Sequence, residues 1–243
     1  MGQHQQNSRL QMIDILRCAA LAGMVIFHFN VDLALFGFIA PERVLAGALL
    51  LLARMVATAF LFLAGFSLFL AHRNGIRHSA FLRRFYIIMA AALLVSLVTY
   101  VQDPAMFVYF GILHAIAVAS LAGLLFLRTP VLLNVAVVMT VFLLPGMVYT
   151  GDAPWIWWIG LSRHARPSMD FVPFFPWFSA ALAGLTVARL MDTAGTLRWL
   201  RAGLPIEPLN RVMQWGGRHS LLIYLVHQPL LWGAVCAAWL IAG

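Results

Sequence analysis

The chain has 243 residues, 63% of them hydrophobic and only 10% charged, with a mean hydropathy of +0.91. A soluble domain is about half apolar and roughly a quarter charged, so these few charges exclude a water-facing surface, and lipid is expected to replace water as the outer solvent. The net charge of +8 does not point to nucleic acid, because the arginines lie between apolar stretches rather than along a solvated stripe.

A helix needs about 20 largely apolar residues to cross the hydrocarbon core. Seven segments qualify in chain order: residues 11–36, 47–71, 82–101, 107–127, 131–148, 172–190 and 220–241. The expected fold is an all-α, polytopic helical bundle with about seven transmembrane helices, forming a single domain over residues 1–243. Residues 42–53 are compatible with a separate interfacial helix. The first segment reads as a retained helix rather than a cleaved leader, since Asp14 and Arg17 interrupt the approach to its apolar run and His28, Asn30 and Asp32 follow it.

All 16 basic residues are arginine. Eleven of them (Arg9, Arg73, Arg77, Arg83, Arg84, Arg128, Arg189, Arg198, Arg201, Arg211 and Arg218) fall before the first segment or in alternate loops, against Arg43, Arg163 and Arg166 on the other side. The excess of arginine marks the cytoplasmic face, so the N-terminus is expected inside. Residues 149–170 then form the longest outer loop, and Trp155, Trp157, Trp158 and Trp177 mark an aromatic interface. That loop fits either a sugar-stacking surface or an interfacial anchor. Cys18 and Cys236 lie in the first and last segments, near opposite faces, and are not expected to pair.

Charged groups at membrane depth are costly and mark candidate sites. The first segment holds Asp14, Arg17, His28 and Asp32. At 100° per residue, these four fall within about 60° of one another, and Arg17 to His28 spans roughly 17 Å of rise. Asp14 and Arg17 are spaced either for an ion pair at the membrane edge or for a grip on an anionic ligand by Arg17. His28 shares its face with two carboxylates, which suits a general base. In the last segment Ser220, Tyr224 and His227 share a face, and Pro229 frees the carbonyl of Leu225. Interhelical hydrogen bonding or a reaction chamber would each use such a point. His114 is a third histidine that could join His28 and His227, yet no close-spaced pair supports a metal site. Arg54 lies in the second segment with Thr58 one turn on, where snorkelling is one reading.

These residues carry a resemblance. Arg9 followed by Ile13-Asp14-Ile15-Leu16-Arg17 and then by His28-Phe29-Asn30-Val31-Asp32-Leu33 resembles the opening of the family built around the catalytic domain of heparan-α-glucosaminide N-acetyltransferase. Phe60-Leu61-Phe62-Leu63-Ala64-Gly65-Phe66-Ser67-Leu68, Phe110-Gly111-Ile112-Leu113-His114, the block from Asp170 through Pro173 and Pro176 to Trp177-Phe178, and Gly217-Arg218-His219-Ser220 through His227-Gln228-Pro229 are similar to its later blocks. Two departures stand out. Cys18 replaces the glycine after Leu-Arg. In the lysosomal branch the position of His28 looks like Asn and a catalytic His follows in the next loop, whereas residues 36–43 here contain none.

The resemblance implies a transmembrane acyltransferase of a bacterial inner membrane. It would move an acetyl group from cytosolic acetyl-CoA, with no metal, to an amine or hydroxyl of an extracytoplasmic sugar or glycolipid. Arg17, Arg218 and Arg54 would then receive CoA phosphates. His28 would act as base or transient acyl carrier, with Asp14, Asp32 and His227 in the catalytic set, and His114, Tyr224 and Gln228 would line the acceptor site. The rival readings are a small proton-coupled transporter, which the same intramembrane groups would suit, and a non-enzymatic membrane assembly protein.

Overall fold

The computed structural model describes residues 10–242; Arg9, counted above in the charge bias and in the family pattern, lies outside them. The described residues form α-helices and short 3-10 turns, with no strand among them. The helices are α1 (Gln11–Leu35), α2 (Gly47–His72), α3 (His78–Gln102), α4 (Ile112–Gly123), α5 (Val131–Leu143), α6 (Phe174–Thr193), α7 (Glu207–Arg218) and α8 (Ser220–Ala242). The chain is an integral membrane protein: α1, α2, α3, α6 and α8 are long and apolar enough to span. Their outer faces carry large apolar side chains, such as Leu97 on α3 and Leu230 on α8.

Of the seven expected segments, five are helices long and apolar enough to cross on their own. The fourth and fifth segments are helical but short, at Ile112–Phe126 and Val131–Gly146. Fifteen residues rise only about 22 Å against a hydrocarbon core of about 30 Å. The reason lies at their ends. Residues 107–111 are non-helical and pass into a backbone bond from Val172 N–H to the Phe110 carbonyl (3.1 Å). The proposed helix at 42–53 is absent as a unit: Pro41–Arg43 makes one 3-10 turn and the rest joins α2 at Gly47. In the expected inner loop at 191–217 the structure adds a 3-10 turn at Thr196–Arg201 and most of α7.

The described residues divide into two compact units, one of residues 10–59 with 196–242 and one of residues 60–195. In the first, α1 packs against α7 and α8. Gly23 of α1 lets α2 close in, since a Cβ there would stand 2.9 Å from Val56 Cγ2. In the second, α5 and α4 pack on α6, and α3 on α4. Two glycines bring backbones into contact: a Cβ on Gly65 would lie 1.8 Å from the Ala181 carbonyl oxygen, and one on Gly184 would lie 2.0 Å from that of Phe62. Lipid tails are as apolar as leucine, so helices in a membrane associate through such close packing rather than through exclusion of water. Leu61, Leu182 and Leu185 complete this core, all at most 1% exposed.

The second unit also brings two of the quoted sequence blocks into contact. The Asp170 carboxylate accepts a hydrogen bond from the Ile112 N–H at 2.9 Å, which caps the start of α4. Gly111 leaves it room, because a Cβ there would meet Asp170 Oδ2 at 2.3 Å. A carboxylate at a helix N-terminus satisfies an orphan donor and complements the helix dipole.

Candidate functional site

The polar face of α1 divides into two halves within the first unit. In the half nearer the N-terminus, Asp14 is buried, and Arg17 Nη1 donates to its Oδ1 at 3.3 Å. Gly217 of α7 packs directly on this turn, where a Cβ would stand 1.9 Å from the Asp14 carbonyl oxygen. Gly216 faces Cys18, and a Cβ there would come within 2.6 Å of its Sγ. The missing side chain of Gly216 thus leaves room for the Cys18 thiol. Gln214 Nε2 donates to Gln11 Oε1 at 2.9 Å one turn further out. Arg218 follows the packed glycine in sequence. Its Nε donates to the Gln214 carbonyl at 3.1 Å, at the exposed end of α7.

In the other half, α8 closes on α1. The His28 and His227 rings meet edge to face at 5.1 Å between centroids. His227 Nδ1 lies 2.5 Å from the Tyr224 carbonyl. Only an N–H can bond a carbonyl, so the proton sits on Nδ1 and Nε2 presents its lone pair. One turn along α1 from His28, Gln228 Nε2 donates to Asp32 Oδ1 at 2.8 Å. Asp32 is fully buried. Three atoms here are buried without a hydrogen-bond partner among the described residues: His227 Nε2, Asp32 Oδ2 and Gln228 Oε1. Buried polar groups are overwhelmingly paired, so three orphans on neighbouring side chains mark a place built to receive polar atoms from elsewhere.

The structure thus brings His28, His227, Asp32, Gln228 and Tyr224 together, and Asp14 with Arg17 and the α7 glycines. It does not bring Arg54 to Arg17. Leu52 and Val56 face Gly23 of α1, which places Arg54, two residues from each, on the opposite side of α2. Arg54 is exposed, and its carbonyl accepts from Thr58 Oγ1 at 2.8 Å. His114 belongs to the second unit, where both ring nitrogens are engaged. Nδ1 accepts from the Gly111 N–H at 3.3 Å, and Nε2 lies 3.4 Å from Ser96 Oγ. There it holds the capped start of α4. Among the described residues, no three His, Cys, Asp or Glu side chains are disposed to hold a metal ion.

Sequence reading missed α7 as the support of Asp14. The signal was present: Leu209, Val212 and Trp215 recur every third residue on an exposed face, while Asn210, Gly216 and Gly217 are buried. This is an amphipathic pattern rather than an apolar run.

The loop at residues 149–170 has its own organisation in the second unit. Asp152 accepts from the Tyr149 hydroxyl at 2.6 Å, the His164 ring at 2.8 Å, and the backbone N–H groups of Arg163 and His164 at 3.0 and 3.1 Å. The His164 ring above all, then the Tyr149 hydroxyl, hold its carboxyl well below the usual carboxylate range. Arg163 lies over the Tyr149 ring at 4.9 Å, and Trp155 beside this clasp is 78% exposed.

A comparison with curated proteins finds no match, and a comparison with solved structures finds none. Residues 9–229 match the family described as heparan-alpha-glucosaminide N-acetyltransferase, catalytic, and that stretch contains every polar residue of the α1, α7 and α8 cluster. With the match covering nearly the whole chain, and with long apolar helices carrying that cluster, the chain belongs to the heparan-alpha-glucosaminide N-acetyltransferase catalytic-domain family, a family of transmembrane acetyltransferases.

Proposed function

We propose that this protein transfers an acetyl group from cytosolic acetyl-CoA to an amine or hydroxyl of a sugar or glycolipid on the far side of a bacterial cytoplasmic membrane. The observation that carries the reading is the His28–His227 contact, with a buried, unpartnered His227 Nε2 and the Asp32–Gln228 bond one turn away. Arg17 and Arg218 receive the CoA phosphates; guanidinium groups suit phosphate geometry. Asp14 acts as a positioning residue that holds Arg17.

The chemistry balances on groups of this chain. The acceptor N–H or O–H gives its proton to His227 Nε2 as its heteroatom attacks the thioester carbonyl. The carbon–sulfur bond breaks, and the proton passes to the leaving thiolate to give CoA–SH. His28 packs against the imidazolium that forms transiently and limits its rotation, or takes the acetyl group first and passes it on. Gln228 Oε1 accepts from the acceptor sugar while Asp32 fixes its amide. Arg54, placed away from Arg17, and His114, engaged at the start of α4, have no part in this scheme.

The test is transfer of labelled acetyl from acetyl-CoA to mixed glycans by the purified protein, compared with His28→Ala and His227→Ala. Loss of at least about a hundredfold in each variant, with binding of CoA retained, is the expected result for general-base catalysis. Undiminished transfer in both variants overturns the assignment. A proton-coupled carrier would show neither transfer nor binding of acetyl-CoA.

A further inference from the structure

The second unit holds a cavity that the acyl-transfer scheme does not use. It lies where the last turn of α2 meets the start of α3 and the middle of α4, and has a volume of about 210 Å³. His72, Arg77, Arg84 and Ser120 give it polar wall, and Phe81 and Phe85 give it apolar wall.

His72 is the informative residue. It is only 7% exposed, and its Nδ1 bonds the Leu68 carbonyl at 2.9 Å. A carbonyl requires a donor, so the proton sits on Nδ1. The other nitrogen, Nε2, is buried and has no hydrogen-bond partner among the described residues. Phe81 packs edge-on against the ring at 5.8 Å and keeps it in place. An imidazole held by one nitrogen, with the other buried and unsatisfied in a residue that lines a cavity, costs stability unless something arrives to bond it.

The surroundings select what arrives. Two guanidinium groups line the same cavity, and the first turn of α3, whose cap residue Arg77 makes no side-chain cap bond, directs backbone N–H groups towards this end. Guanidinium groups and a helix N-terminus together favour an anion with several oxygens. A ring whose Nδ1–H is used on the Leu68 carbonyl leaves Nε2 to accept a hydrogen bond, which an anion that also carries a hydroxyl supplies. A phosphomonoester satisfies both demands, with P–O⁻ for the arginines and P–OH for Nε2. The volume is below the roughly 300–1,000 Å³ of sites that enclose a whole drug-sized ligand, so the cavity takes the end of a larger molecule, with its stem leaving along the phenylalanines.

We propose that this cavity is a phosphomonoester-binding site, with His72 Nε2 accepting from the phosphate hydroxyl and Arg77 and Arg84 meeting its charged oxygens. Two sources carry that chemistry: a soluble ester such as CoA, through its 3′-phosphate, and a membrane lipid such as phosphatidic acid. The site does not depend on the acyl-transfer reading, because none of its residues belongs to the α1, α7 and α8 cluster.

The experiment uses the full purified chain and the double variant Arg77→Gln with Arg84→Gln. Two probes are titrated while thermal stabilisation is followed: CoA with the protein in detergent, and phosphatidic acid in lipid nanodiscs, with phosphatidylcholine alone as the control lacking P–OH. The expected result is that one probe stabilises the natural chain and that its apparent affinity falls at least tenfold in the double variant, while Arg43→Gln, at an exposed turn outside both sites, leaves the affinity in place. The probe that responds names the source. Should the double variant not fold, His72→Gln is measured instead and is expected to show the same loss. Equal affinity of natural chain and variants for both probes, or stabilisation by neither probe, overturns the proposal.

Discussion

Gln228 of α8 donates from its side-chain amide to the Asp32 carboxylate of α1 at 2.8 Å, across 196 positions of sequence. Removing either partner strands the other, but the two losses differ in kind. Asp32→Ala leaves a neutral amide unsatisfied, an effect of about 1–3 kcal/mol. Gln228→Leu leaves a buried carboxylate that has lost its hydrogen-bond donor, and an unsatisfied charged group costs more than a neutral one. The Gln228→Leu protein is therefore expected to melt at the lower temperature of the two in detergent. The reverse order would show that the carboxylate finds another donor in the natural fold.

Gly217 gives a second prediction. A Cβ at this position meets the Asp14 carbonyl oxygen at 1.9 Å, which is backbone and cannot swing aside. Gly217→Ala must push α7 off α1, and it is expected to lower the melting temperature and to shift Arg17 with it. Gly233→Ala on α8 is the control, because a Cβ there meets nothing within 4 Å. There the change replaces a helix-interior glycine by the best helix former, worth up to about 1 kcal/mol in favour of alanine. Opposite signs are expected in thermal melts of the two variants; equal signs would contradict the close packing of α7.

The contrast between these two sites shows what the chain discloses before it folds. The polar face of α1 was legible because four residues at helical spacing require no knowledge of any neighbour. The pairing of His28 with His227 was legible only as one member of a three-histidine group, since spacing along α1 and α8 does not say which helix meets which. His114 looked equivalent in sequence, and its difference comes from contacts with Gly111 and Ser96 made through a turn that apolar periodicity hides. Asp32 with Gln228 was out of reach for the same reason. The support of Asp14 by Gly217 escaped because a span-length apolar window passes over an amphipathic helix such as α7. The two short helices α4 and α5 read as full spans because apolar composition continues past their ends. Extended backbone at Gly111 delays the start of α4, and the 3-10 turn Leu144–Gly146, with Pro145 inside it, closes α5.

The capped start of α4 supports a third prediction. Asp170 accepts from the Ile112 N–H, and Gly111 is the residue that lets it approach. Asp170→Ala removes the cap and is expected to cost about 1 kcal/mol, within the usual range of about 0.5–2 for a lost cap. Gly111→Ala drives a Cβ against the carboxylate and is expected to cost at least as much. In hydrogen exchange, both changes should speed exchange in the first turn of α4 and leave α8 unaffected. Unchanged protection in that turn would mean that the carboxylate is not its cap.

The Asp152 clasp makes the last prediction, and its sign follows from the direction of the shift. The carboxyl is held below its usual range by the His164 ring first and the Tyr149 hydroxyl second. A group whose folded value is depressed contributes stability that is present above its unfolded value, about 3.9 for Asp, and is lost as pH falls through the lower folded value. The clasp is therefore expected to hold unchanged from neutral pH down to about pH 4 and to open only in stronger acid. The same hydrogen bond works in reverse on its donor: bonding to Asp152 raises the Tyr149 hydroxyl above the ordinary tyrosine range, so the ring should resist ionisation in alkali. Trp157 reports the state of the loop, because its Nε1 donates to the Asp152 carbonyl at 2.9 Å. Tryptophan fluorescence of the natural chain should be flat from pH 8 to about pH 4 and change below it, within the window set by the carboxyl. Asp152→Asn should show the acid-state signal already at neutral pH. A natural chain whose loop signal changes near pH 6–7 instead would place control of the loop on a histidine rather than on Asp152.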